Sequence, residues 1–100
     1  MELTLTLRHF LDEKGRLISF PAKQKMKLYA LLYLAAQFEK GKRYTEEEIN
    51  DLLDDFTVFH DPATLRRELY NHRFLGREKD GSFYWPEDPQ PTAADLGLES

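Results

Sequence analysis

The residues best suited to chemistry sit in the segment Ala63 to Phe74, which carries Thr64, Arg66, Arg67, Asn71 and Arg73. On a helical wheel of about 100° per residue, with Leu65 and Leu69 turned inward, the residues Ala63, Thr64, Arg67, Tyr70 and Asn71 turn outward, and Arg66 and Arg73 flank them. These types suit a DNA groove: arginine reads guanine through two hydrogen bonds, asparagine reads adenine, and small residues at a helix start permit close approach. Arg77 and Lys79 follow within reach of the same surface, where phosphate contact fits them. The DNA-contact candidates are therefore Thr64, Arg66, Arg67, Asn71, Arg77 and Lys79.

Other chemistries have weaker support. No two of His9, His60 and His72 are three or four residues apart, the spacing that would place two metal ligands on one helix face. The chain has no cysteine, which excludes disulfides, thiolate zinc sites and a cysteine nucleophile. Ser19, Ser82 and Ser100 lie outside any nucleophile motif, and the glycines mark turns rather than a phosphate loop. The acids Glu46, Glu47 and Glu48 are better explained by helix capping than by acid–base catalysis. Tyr84 and Trp85 could stack on a small molecule, but aromatics at a strand end more often cover the edge of a core. The expectation is a non-catalytic protein with no metal and no cofactor.

Several elements must position these residues. Leu3, Leu7, Phe10 and Leu11 fall at helical spacing and favour a short helix from Glu2 to Leu11, although Leu3, Leu5 and Leu7 also alternate like a strand; the turn Asp12-Glu13-Lys14-Gly15 closes the segment. Leu17, Ile18 and Phe20 then reach the core from a connector. Ala22 to Glu39 predicts a central helix, apolar on more than half its circumference. Its stripe of Tyr29 and Tyr33 is the candidate partner-contact surface. Gly41 ends that helix, and Arg43-Tyr44 is short enough to be a single bridging strand. Thr45 to Glu48 has the pattern of a capping box opening a helix that runs to Asp55. Asp61 and Pro62 open the helix Ala63 to Phe74 as cap and first helical residue. Asp80-Gly81, between strand-like runs, predicts a hairpin closed by a two-residue type I′ turn.

The predicted fold class is α+β, mainly helical and winged-helix-like, in the order helix, helix, short strand, helix, helix, β-hairpin. A chain of 100 residues with 41% hydrophobic content fits one domain, assigned to residues 1–85. Pro86 to Pro91 holds three prolines in six residues, so residues 86–100 are expected to form an acidic, proline-rich disordered tail. No apolar run is long enough to span a bilayer, and the first residues lack the pattern of a signal peptide, which predicts a cytoplasmic protein without a membrane partner.

Charge tempers the DNA reading. The net charge is −4, and the stretch from Thr45 to Asp61 holds seven acids and no Lys or Arg. From Lys14 to Arg43 there are eight basic residues against the single acid Glu39. The stretch from His60 to Trp85 is nearly neutral, so binding to double-stranded DNA would be weak for this domain alone. The opposed blocks support a second reading, in which the same fold pairs with itself or with another regulator protein.

The pieces Gly15-Arg16-Leu17, Phe20-Pro21-Ala22-Lys23, Phe38-Glu39-Lys40-Gly41, Tyr44 to Asn50, Thr64 to Leu69 and Asp80 to Trp85 resemble the bacterial family called domain of unknown function 2087. The likeness runs from Leu7 to Trp85 and leaves out the tail, with Tyr44 to Asn50 and the Arg66-Arg67 pair as its signature positions. The loop Phe56 to Asp61 is less polar than the family pattern implies. The resemblance implies a small cytoplasmic protein, or a module of helix-turn-helix regulators, that acts in transcription regulation, and it carries no catalytic residue. The functional expectation is a regulatory module that contacts DNA through the helix at 62–74 and the hairpin at 75–85.

Overall fold

The computed structural model describes residues 3–98 and contains four helices and one antiparallel hairpin. They are α1 (Leu3–Thr6), α2 (Gln24–Ala35), α3 (Glu46–Asp55), α4 (Pro62–Asn71), β1 (Leu75–Arg77) and β2 (Tyr84–Pro86). The result is a small α+β protein in which helix predominates. No helix is long and apolar enough to cross a membrane among the described residues.

The N-terminal helix is shorter than its apolar spacing predicts, and its expected start at Glu2 lies outside the described residues. After Thr6 the chain turns, with the Phe10 amide donating to the Leu7 carbonyl at 2.7 Å. The predicted turn at Asp12 forms. One Asp12 carboxylate oxygen accepts from the amides of Lys14 (3.0 Å) and Arg16 (2.8 Å), and the other accepts from the Arg16 side chain. The turn folds Leu17 back beside Leu11, and Leu17 also bridges in parallel to Thr57 just after α3. Leu17 is fully buried, whereas Ile18 is 46% exposed. Successive residues of an extended chain face opposite ways, so only one of the two could reach the core.

Helix α2 runs through the middle of the core and buries Leu28, Tyr29, Ala30, Leu31, Leu34 and Ala35. It stops at Ala35, four residues before the predicted end at Glu39. Beyond it Phe38 swings inward to meet Tyr44 edge-on, with ring centroids 5.3 Å apart. The Glu39 amide donates to the Tyr44 hydroxyl at 2.8 Å. Gly41, with φ of +81°, serves the turn that follows rather than the helix end.

The capping box forms as predicted: the Glu48 amide donates to the Thr45 hydroxyl at 3.1 Å, and the Thr45 amide donates to the Glu48 carboxylate at 2.9 Å. At α4, Asp61 is the cap and Pro62 the first helical residue. This helix ends at Asn71 rather than Phe74. Arg73 takes a left-handed conformation (φ 67°), which turns the chain so that the Phe74 amide reaches the Leu69 carbonyl at 2.9 Å and Phe74 becomes buried.

The hairpin register pairs Leu75 with Pro86, Gly76 with Trp85 and Arg77 with Tyr84. The predicted two-residue type I′ turn does not form. Gly81 has positive φ (76°) but Asp80 does not, and the ladder closes at the Glu78 amide donating to Phe83 at 2.9 Å, which leaves a four-residue loop. Asp80 instead accepts from the Ser82 amide at 2.9 Å, a local bond that competes with the tighter turn. Tyr44 meets the hairpin as a single bridge, exchanging two 2.7 Å hydrogen bonds with Tyr84. This is the lone short strand of the sequence reading, reduced to one residue.

Pro86, expected in the tail, is instead the last residue of β2, paired with Leu75, because an edge position leaves its missing N–H without cost. The described part of the segment after it has no helix or strand and lies against the domain rather than apart from it. The Gln90 side chain donates to the carbonyls of Phe74 (2.9 Å) and Glu87 (2.6 Å). Leu98 is buried in the core cluster, with Ala93 and Leu96 packed beside it. Residues 99–100 of the expected tail lie outside the described residues. The Cα radius of gyration, 12.9 Å, matches the roughly 13 Å of a single 100-residue domain.

Candidate nucleic-acid interface

Helix α4 buries Leu65 and Leu69 against α3 and α2, which fixes the orientation of its other face. That face looks across a recess toward the hairpin. The recess has a volume of about 250 Å³ and is lined by Ala63, Arg66, Arg67, Tyr70, Asn71, Arg77 and Tyr84. Four of the six DNA-contact candidates, Arg66, Arg67, Asn71 and Arg77, are thus brought to one place. Lys79 lies exposed in the hairpin loop and does not line the recess. Thr64 also lies outside it, half-buried at the start of α4, with its amide directed to the Asp61 carboxylate at 3.4 Å.

The three arginines have different surroundings. Arg66 is largely enclosed, its side chain 18% exposed, and it reaches back to α3, donating to the Asn50 side-chain oxygen and pairing with Glu46 at 3.5 Å. Its guanidinium also lies 5.9 Å from the centre of the Tyr84 ring. Arg66 therefore fastens α4 to α3. Arg67 is exposed, and Arg77 stacks its guanidinium on the Tyr70 ring at 4.9 Å. Neither Arg67 nor Arg77 has a carboxylate partner within 4 Å among the described residues, and no carboxylate lines the recess. The Tyr70 hydroxyl, and after it the Tyr84 hydroxyl, raises the pKa of Arg77 and keeps it a cation.

Tyr84 and Tyr70 are the site residues that helix-face reasoning undervalued. Tyr70 was turned outward by the wheel without a role, and it proves to be the platform for Arg77. Tyr84 is 4% exposed and closes the inner wall of the recess. The alternation along β2 sends Tyr84 inward and Trp85 to the other face. There Trp85 lies over Gly76, where an added Cβ would come within 2.5 Å of the indole nitrogen, and donates to the Glu87 carboxylate at 2.8 Å. Arg43 stacks near Phe83 (4.8 Å) and Trp85 (5.4 Å) and pairs with Glu78. Spacing alone does not disclose this cluster, because Arg43 arrives from a distant part of the chain.

The two partner-contact candidates, Tyr29 and Tyr33, differ in their surroundings. Tyr29 is 5% exposed because α2 is packed on two sides, and Tyr33 donates its hydroxyl to the Gly15 carbonyl at 2.6 Å. Burial and the nearby Asp12 charge raise the Tyr33 pKa, which keeps that donor protonated. His60 lies beside Asp54 (3.4 Å) and His72 beside Glu68 (3.3 Å). No cluster of three or more His, Cys, Asp or Glu suited to a metal occurs among the described residues.

The model of the family described as "uncharacterized protein conserved in bacteria", DUF2087, matches residues 16–86. The chain belongs to that family. The DUF2087 match begins at residue 16 rather than at Leu7, so it contains α2 through the hairpin and every residue lining the recess, and it leaves out α1 and the segment after Pro86. No curated protein and no solved structure matches the chain.

Proposed function

We propose that this DUF2087 protein is a non-catalytic, cytoplasmic regulatory module of winged-helix type that contacts double-stranded DNA through α4 and the hairpin. The observation that carries this reading is the recess between those two elements, which gathers Arg66, Arg67 and Arg77 with no lining carboxylate. In a winged-helix arrangement α4 would be the helix offered to a groove, and β1–β2 the wing beside it. Arg67 and Arg77, which have no carboxylate partner among the described residues, attract phosphate, while the acids along α3 oppose approach and keep the affinity of the isolated domain low. The rival reading, a protein-interaction or dimerisation module, rests on the opposed charge blocks and draws little from Tyr29, which is 5% exposed.

Fluorescence anisotropy of labelled random-sequence duplex DNA, titrated with the protein at low and moderate salt, tests the proposal. Binding that weakens as salt rises is the expected result. A flat titration at low salt would remove DNA contact as the function.

A further inference from the structure

We infer that the recess between α4 and the hairpin seats a single phosphate group, gripped jointly by Arg67 and Arg77, and that on duplex DNA it holds one backbone phosphodiester rather than a base edge. This rests on the DNA-binding reading for the identity of the phosphate's carrier, but its basis is the chemistry of the recess itself.

Size is the first argument. At about 250 Å³ the recess is below the roughly 300–1,000 Å³ usual for pockets that enclose a whole small molecule, so it suits a chemical group carried by something larger. Donor chemistry is the second. Arg67, Arg77 and the Asn71 amide converge on the space, with no carboxylate to accept from them. Guanidinium forks match phosphate oxygens in a planar, two-bond fashion. Arg66 is not the third finger, because its guanidinium is turned to α3, where it donates to Asn50 and its charge is offset by Glu46 at 3.5 Å.

Posture is the third argument. An arginine that reads guanine must project its fork to the floor of the major groove. Arg77 lies against the Tyr70 ring, inside a concavity backed by Tyr84. A phosphate on the ridge of the duplex can enter this recess and meet Arg77 on its wall. The charge also fits: with Arg66 offset by Glu46, two uncompensated cations meet one phosphodiester anion.

The salt dependence of DNA binding distinguishes a shared phosphate from other arrangements. Each neutralised phosphate contributes about 0.9 to the slope of log K against log salt. If Arg67 and Arg77 hold the same phosphate, Arg67→Ala and Arg77→Ala each weaken binding but leave the slope nearly unchanged, because one cation still occupies the phosphate. The double variant then loses about 0.9. A loss of about 0.9 in each single variant and about 1.8 in the double would mean two separate phosphates and overturn the inference. An unchanged slope in the double variant, with affinity lost on some sequences only, would mean base reading and overturn it too.

A second arm needs neither DNA nor variants. Inorganic phosphate is titrated into the unaltered protein while the arginine side-chain Nε–Hε signals are followed by NMR. Arg67 and Arg77 should shift together along one saturating curve, with Arg16 and Arg43 unmoved. Saturable shifts without DNA binding would refute the proposed function and support the phosphate seat. DNA binding with no phosphate response at Arg67 and Arg77 would refute the seat and support the function.

Discussion

Replacing Arg66 by alanine should lower stability by about 1–2 kcal/mol, because it leaves the Asn50 oxygen between α3 and α4 without its charged donor. The 3.5 Å pair to Glu46, whose side chain is exposed, adds little to this. Arg67→Ala should change stability by less than about 0.5 kcal/mol, since the residue is exposed and has no carboxylate partner within 4 Å among the described residues. Urea unfolding of the two variants checks the contrast, and equal losses would contradict the division of labour between these neighbours. The sequence puts the two arginines side by side with the same chemistry. The helical turn of about 100° between them already sets Arg67 outward and Arg66 to the flank, and the packing of α3 on α4 then supplies the Asn50 and Glu46 partners that the wheel cannot show.

At the scale of elements, what could be read in advance was what depends on near neighbours. The Thr45–Glu48 capping box is such a case: both hydrogen bonds join residues three apart. Thr45's amide, and then its hydroxyl, hold the Glu48 carboxyl below its ordinary value of 4.5. A depressed folded-state pKa means that the unfolded chain binds more protons over that window. The contribution is therefore complete above about pH 4.5 and disappears as the pH falls through the lowered folded-state value. Glu48→Gln should flatten the acid limb of a plot of melting temperature against pH, and an unchanged limb would show that the carboxylate is not held in solution. Asp12 and Asp80, also lowered by bonds to neighbouring groups, contribute with the same sign and remain in the variant. The hairpin loop was misread for a related reason. Asp80 had a second local option, its bond to Ser82, and local options of similar strength are not ranked by sequence pattern.

For the whole molecule, the decisive contacts join parts of the chain that no window of sequence shows together. Leu7 is fully buried and Leu98 is 8% exposed, and both belong to the same core, although the family match covers neither. Leu98→Ala should cost about 2 kcal/mol, a drop of about 4–8 °C in melting temperature for each kcal/mol. Thermal unfolding followed by circular dichroism measures this, and no change would mean that the segment after Pro86 does not hold its place. The proline-rich composition points to a tail from residue 86, yet Pro86 closes β2 and only the segment after it is free of helix and strand among the described residues. It could not disclose docking, because Leu96 and Leu98 are too few to advertise an apolar face in a polar stretch, and their partners lie far away in sequence.

The single Tyr44–Tyr84 bridge has an effect on the outer border of the hairpin. Tyr44 pairs with β2 on the side away from β1, so β1 is left as the sheet's free edge. That edge is three residues long and ends in the exposed, charged Arg77. An incoming strand finds too few backbone partners to add on and must bury a guanidinium to do so. The border is thereby guarded against fibril-like stacking of copies, and the cation that supplies the guard is the same one that faces the recess.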